Sequence, residues 1–189
     1  MRPINESNTG MATIALVSII CPDRVGLVSA VSGQLYDQGI NLGDTTFAVL
    51  GGGAEFTAVC ELPDSLELEE LEKELTDLEE LQGAKISVSN FELSPVHSES
   101  AHITHRIVLQ GGDRPGLIAR LCEVFGQFNA NIVRLNSDNM PGTRDDQYEI
   151  RIAVWIPPEN VKSCLAVVDN TAGELRMKCR WSEVDSRPV

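Results

Sequence analysis

The 189-residue sequence is short of positive charge: 15 Lys and Arg stand against 28 Asp and Glu, a formal net charge of -13. Averaged over a surface, that balance repels phosphate backbones and anionic membranes. The arginines Arg106, Arg114, Arg120, Arg134, Arg144 and Arg151 are scattered singly, with no basic run and no interleaved aromatics. Direct nucleic-acid or membrane binding is therefore not expected. Five cysteines, Cys21, Cys60, Cys122, Cys164 and Cys179, are an odd number at wide, irregular spacing. That pattern fits neither a disulfide framework nor a paired-cysteine zinc site, and it points to a reducing compartment. Small buried hydrophobes are the plain reading of these residues, a reactive thiol the other. Long apolar runs are missing too. Residues 13–20 are apolar, but only Arg2 precedes them as a positive charge and no small-residue cleavage site follows. The run is too short for a bilayer, so a buried strand and a cytoplasmic protein are expected.

Motifs for catalysis, metal or cofactor are also lacking. Gly51-Gly52-Gly53 is followed by no Gly-Lys-Ser/Thr, and His97, His102 and His105 lie in or just after a polar stretch, outside any nucleophile or metal pattern. Flanking a strand is the expected place for His102 and His105. No enzyme activity, metal or cofactor is anticipated.

What the chain does have is a repeat. Cys21-Pro22-Asp23-Arg24-Val25-Gly26-Leu27-Val28 aligns with Gly111-Gly112-Asp113-Arg114-Pro115-Gly116-Leu117-Ile118, ninety residues on, and the same offset carries Asn41-Leu42 onto Asn131-Ile132. Apolar character is kept at Leu27/Leu117, Val31/Leu121 and Leu35/Phe125. Two copies at this period mean a duplicated domain, not a solenoid. In the first copy the periodicity predicts a strand over 13–20, a helix over 25–38, strands over 41–50 and 56–62, a helix over 66–81 and a strand over 85–91. The second copy repeats the order over 102–110, 115–128, 131–139, 147–155, 160–172 and 177–184. The fold class is α+β: two ferredoxin-like βαββαβ domains in tandem, each a four-stranded antiparallel sheet with helices on one face. The first domain spans 11–93, a linker 94–101 and the second domain 102–185. The open sheet faces call for tandem packing, another copy, or both.

Leu68, Leu71, Leu75 and Leu78 share one face of the second helix. Its other face is acidic, Glu67, Glu69, Glu70, Glu72, Glu74, Asp77, Glu79 and Glu80 around a single Lys73, and reads as solvated. The connection 140–146 is longer than its counterpart in the first domain and reads either as a lid or partner loop or as a plain insertion.

The repeated loop between first strand and first helix carries the candidate site. Asp23 and Asp113 stand where an N-cap would, and Pro115 suits a first helical turn. Gly26 and Gly116, placed inside a helix, would cost about 1 kcal/mol against alanine, which suggests close approach of something to the backbone. First-turn N–H groups and the helix dipole suit a carboxylate, such as that of an amino acid. Asn41 and Asn131, opening the next strand, would add donors and acceptors at the same edge. The other reading makes Asp a cap, Gly a packing residue and Asn a turn residue.

Asp23-Arg24-Val25-Gly26-Leu27 followed by Gly39-Ile40-Asn41-Leu42, and Asp113-Arg114-Pro115-Gly116-Leu117 followed by Asn129-Ala130-Asn131-Ile132, resemble the ACT domain family over nearly the whole chain. The resemblance implies amino-acid binding at interfaces between units, through residues 23–27 and 113–117; Asn41, Leu42, Asn131 and Ile132, at the start of the following strand, complete the candidate site. The resemblance also implies a homodimer. Leu42-Gly43-Asp44, Ala48-Val49-Leu50-Gly51 and Glu55-Phe56-Thr57 make the first unit similar to regulators built of two such domains and little else. That likeness implies a non-catalytic protein that senses glycine or a similar small amino acid. It would act by contact with a DNA-binding transcription factor on genes of glycine and one-carbon metabolism. A separate regulatory subunit of an amino-acid or folate enzyme, and a scaffold with empty sites, share the same residues. Val25 departs from the proline usual in the motif and present at Pro115, and the triple glycine loosens the first hairpin, which favours the second site.

Overall fold

The computed structural model of the chain describes residues 13–140 and 147–184. The chain divides into two compact units, Met1–Pro95 and Val96–Val189. In the first, β1 (Thr13–Pro22), α1 (Leu27–Asp37), β2 (Asn41–Leu50), β3 (Gly53–Leu62), α2 (Leu68–Thr76) and β4 (Lys85–Asn90) form an antiparallel sheet in the order β2-β3-β1-β4. The second has β5 (His105–Gly112), α3 (Leu117–Gln127), β6 (Asn131–Met140), β7 (Gln147–Trp155), α4 (Val161–Glu174) and β8 (Lys178–Glu183), in the order β6-β7-β5-β8. Both units are ferredoxin-like α+β folds.

Period-two alternation builds each sheet. Along β1, Ala15, Val17, Ile19 and Cys21 are buried, and along β3 so are Ala54, Phe56, Ala58, Cys60 and Leu62. Leu27, Val31 and Leu35 of α1 and Leu71 and Leu75 of α2 close that core. The second core pairs Ile107, Leu109, Ile150, Ile152 and Val154 with Leu121 and Phe125 of α3 and Leu165 and Val168 of α4. The register of the apolar repeat therefore carries over to the packing.

Element bounds shift where local physics overrides the apolar spacing. Helix α1 starts two residues late because Arg24 to Leu27 is a turn: the Leu27 N–H donates to the Arg24 carbonyl at 3.4 Å, and Gly26 has φ 89° and ψ -6°. Those angles belong to the third residue of a type II turn, which requires φ above zero. The second unit repeats it, with Leu117 donating to the Arg114 carbonyl at 3.3 Å and Gly116 at φ 82° and ψ 0°. Pro115 thus holds the second position of a turn, where its fixed φ also fits, and not the first turn of the helix. The expected aspartate caps are absent as well. Gly26 and Gly116 are the N-caps, and no side chain bonds either helix start.

Helix α2 is shorter than its leucine stripe predicts. It stops at Thr76, Leu78 is extended at ψ 132°, and Glu79–Leu81 is a single 3-10 turn. Carboxylates crowd the end where the helix dipole is negative, which disfavours further α-helix, yet Leu81 still reaches the core. Strand β3 is longer than predicted because Gly51 and Gly52 alone make the hairpin, with Leu50 opposite Gly53. In the expected linker, Glu99–Ala101 forms a 3-10 turn, and residues from Val96 onward group with the second unit.

The turn glycines and an ordinary helix glycine should respond oppositely to alanine. Gly26→Ala and Gly116→Ala place a side chain at a left-handed φ and should each cost about 1–2 kcal/mol. Gly33→Ala, in the middle of α1 with open space around it, should add up to about 1 kcal/mol. Urea midpoints at unchanged slope would show two falls and one rise; equal shifts would refute the turn assignment.

Candidate functional site

The two strand-to-helix loops expose what the sequence singles out. Asp23, Arg24, Val25 and Gly26 are exposed, as are Asp113, Arg114, Pro115 and Gly116. A Cβ on Gly26 or Gly116 would meet nothing within 4 Å. Their glycines are thus explained by φ, not by a crowded backbone. Beyond each turn the helix opens without a side-chain cap, so first-turn N–H groups and the positive end of the dipole face outward.

In the first unit the hairpin tip joins this loop. The Asp23 N–H donates to the Gly52 carbonyl at 3.1 Å. Of the glycine run, only Gly51 has positive φ, at 61°, the pattern of a II′ turn. A Cβ on Gly53 would sit 3.3 Å from the Cys21 carbonyl oxygen, so this glycine permits close strand approach. The corresponding tip of the second unit, residues 141–146 of the long connection, lies outside the described residues.

Arg24 is occupied structurally. Its Nη1 donates to the carbonyls of Glu80 at 3.2 Å and Glu79 at 3.4 Å, and its Nη2 to that of Gln82 at 3.0 Å. The guanidinium thereby satisfies the carbonyls at the end of the 3-10 turn. Arg114 makes no such bond among the described residues, because α4 runs on as an uninterrupted helix and offers no counterpart turn.

The remaining candidates do not converge on the loop. Leu27 and Leu117 are core residues, and Leu42 and Ile132 pack partly buried against the two cores. Asn41 faces Glu61 at one end of β3, while Leu50 and Pro22 face Gly53 at the other. Eight residues of strand separate those ends, about 26 Å. Asn131, opposite Trp155, is likewise at the far end from Gly112 and Gln147. Its Nδ2 donates to the Ser100 carbonyl at 2.8 Å. Within one unit, then, the asparagines and the glycine turn occupy opposite sheet ends. The apolar spacing gives the order of the elements, but the antiparallel register decides which ends meet.

Residues 13–89 match the model of the ACT domain family. The first unit is an ACT domain. Among solved structures, an unknown protein from Galdieria sulphuraria superposes with a TM-score of 0.72 at 20% identity, covering 93% of this chain and 100% of that one. A candidate glycine cleavage system transcriptional repressor superposes with a TM-score of 0.67 at 15% identity, covering 94% and 100%. At these identities the likeness establishes the fold alone, two ferredoxin-like units in one chain. No curated protein matches the sequence.

Thiols in both units are quiet. Burial pushes Cys60 and Cys164 up to about 11. Cys179 is also pushed up to about 11, by burial and then by the nearby Asp169 carboxylate. Cys21, beside the first loop of the ACT domain, is raised chiefly by burial, against the opposing pull of Arg24. His105 is buried at the start of β5, with Nδ1 3.0 Å from the Thr104 hydroxyl. Among the described residues no cluster of His, Cys, Asp and Glu gathers as a metal site, and no helix is long and apolar enough to cross a membrane.

Arg24→Ala should speed hydrogen exchange over residues 79–84 of the ACT domain while Arg114→Ala leaves the second unit unchanged; equal effects would contradict the structural role of Arg24. At pH 8 the native chain should alkylate at Cys60 and Cys164 only as fast as it opens, since the thiolate is scarce and buried. Rapid labelling without denaturant would contradict that environment.

Proposed function

We propose that the chain is a non-catalytic cytoplasmic regulator that senses a small amino acid, glycine or a close analogue, and relays the signal by protein contact. The observation that carries this reading is the loop built twice: a type II turn on glycine that feeds an uncapped helix start, open to solvent. Such a start offers N–H donors and positive potential to a carboxylate. Asp23 or Asp113, beside it, would face the ligand's ammonium group. The second loop is the stronger candidate, because Arg114 is not committed to a carbonyl cluster as Arg24 is.

The relay target is a DNA-binding transcription factor for genes of glycine and one-carbon metabolism. Full-length similarity in fold to the candidate glycine cleavage repressor supports this choice, and the net charge of -13 favours action through a protein over direct contact with DNA. The chain acts as a homodimer. Asn41 and Asn131 take part in binding only where another copy brings its far sheet end to the loop.

Thermal unfolding against a panel of amino acids, glycine and serine included, tests the reading. A ligand at a hundred times its dissociation constant adds about 2.7 kcal/mol, and Asp113→Ala should remove that shift with little change in the ligand-free midpoint. No shift with any amino acid would overturn sensing and leave an assembly scaffold.

A further inference from the structure

Arginines that are scattered along the sequence come together on one surface of the second unit. His105, Ile107 and Leu109 point from β5 into the core beneath α3 and α4, so Arg106, Val108 and Gln110 lie on the face without helices. Register extends that face across all four strands. One row reads Arg134, Ala153, Arg106, Ser182; the next reads Asn136, Arg151, Val108, Arg180; the third reads Asp138, Glu149, Gln110, Lys178. Five cations therefore share a face with two anions, in a chain whose net charge is -13.

Both anions are spent internally. Glu149 is buried at 6% exposure and is bound by Arg151 and by the Gln110 amide. Arg151 also reaches Asp138 at 3.0 Å, and Arg180 donates to the Gln110 amide oxygen at 3.1 Å. This chain of bonds crosses the sheet and fixes its middle. Arg106 and Arg134 stand apart from it, exposed, with no hydrogen bond or ion pair among the described residues. They flank Ala153 on neighbouring strands, about 10 Å apart at their backbones.

We propose that this face docks the acidic helix α2 of a second copy of the chain. Glu69 and Glu70 are exposed on α2, and Asp77 is exposed at its C-cap, still in right-handed helical conformation. Glu70 and Asp77 lie seven residues apart, on the same side of the helix and about 10 Å along its axis. That spacing matches Arg106 and Arg134, so each carboxylate meets one free guanidinium, a pairing whose planar fork favours arginine over lysine. Nucleic acid fits less well. The third row sets Asp138 and Glu149 against an extended phosphate chain, and Trp155, half-buried at the end of the face opposite Asn131, is a single aromatic where stacking along a strand of bases uses several. The contact is independent of amino-acid sensing, so either can fail alone.

Sedimentation of the full chain at about 0.05 M and about 0.5 M salt, where screening lengths differ roughly threefold, tests the docking. The expected result is a self-association that weakens by about tenfold or more in high salt. Arg106→Glu with Arg134→Glu should abolish it, as should Glu70→Arg with Asp77→Arg, and a chain carrying all four changes should regain it. Arg106→Gln with Arg134→Gln gives the same reading should charge reversal impair folding, which circular dichroism reports. Association that ignores these changes, a monomer at both salts, or an oligonucleotide that binds the wild-type face and is lost with the arginines would each overturn the proposal.

Discussion

Everything in either unit hangs on one left-handed residue. At Gly26 and Gly116 the chain leaves the plane of the sheet and enters the helix layer, with φ of 89° and 82° that a side chain would resist. The turn sets where the helix begins and hence its phase. From that start, Leu27, Val31 and Leu35 in one unit, and Leu117, Leu121 and Phe125 in the other, face the sheet. The same turn leaves the helix without a side-chain cap, so the feature that organises the core also leaves an unsatisfied donor edge in solvent.

Around this shared turn the two units have diverged. Arg24 clamps the carbonyls after α2, because the acid-rich helix breaks and leaves them without partners. Arg114 has no such task, since α4 continues for 14 residues. The open sheet faces differ as well. Across the first, Thr46, Thr57, Ser18 and Ser87 form a row of hydroxyls, whereas the second carries the arginine rows and their internal ion pairs. Duplication kept the backbone and the core while the exposed surfaces changed, as expected when only the buried positions are constrained by packing.

Much of this was legible in the residues alone. Alternation and helical spacing identify every strand and helix in order, because burial of one face imposes periods of 2 and 3.6 on any sequence that folds this way. The repeat shows the duplication directly. Less legible were the ends of elements. Pro115-Gly116 is a turn signal that could have moved the helix start, while the break after Thr76 depends on carboxylates meeting a helix C-terminus and on Arg24 arriving from 55 residues away.

The sequence by itself determined the fold class, the two units, the core positions and the glycine loop, all of which follow from local patterns repeated along the chain. Tertiary structure alone decided which distant residues share a surface. Antiparallel pairing carried Asn41 and Asn131 to the far end of their sheets from the loop, and it brought Arg106, Arg134, Arg151 and Arg180 onto one face. Proximity across strands is set by register, a relation between segments that no single stretch of sequence contains.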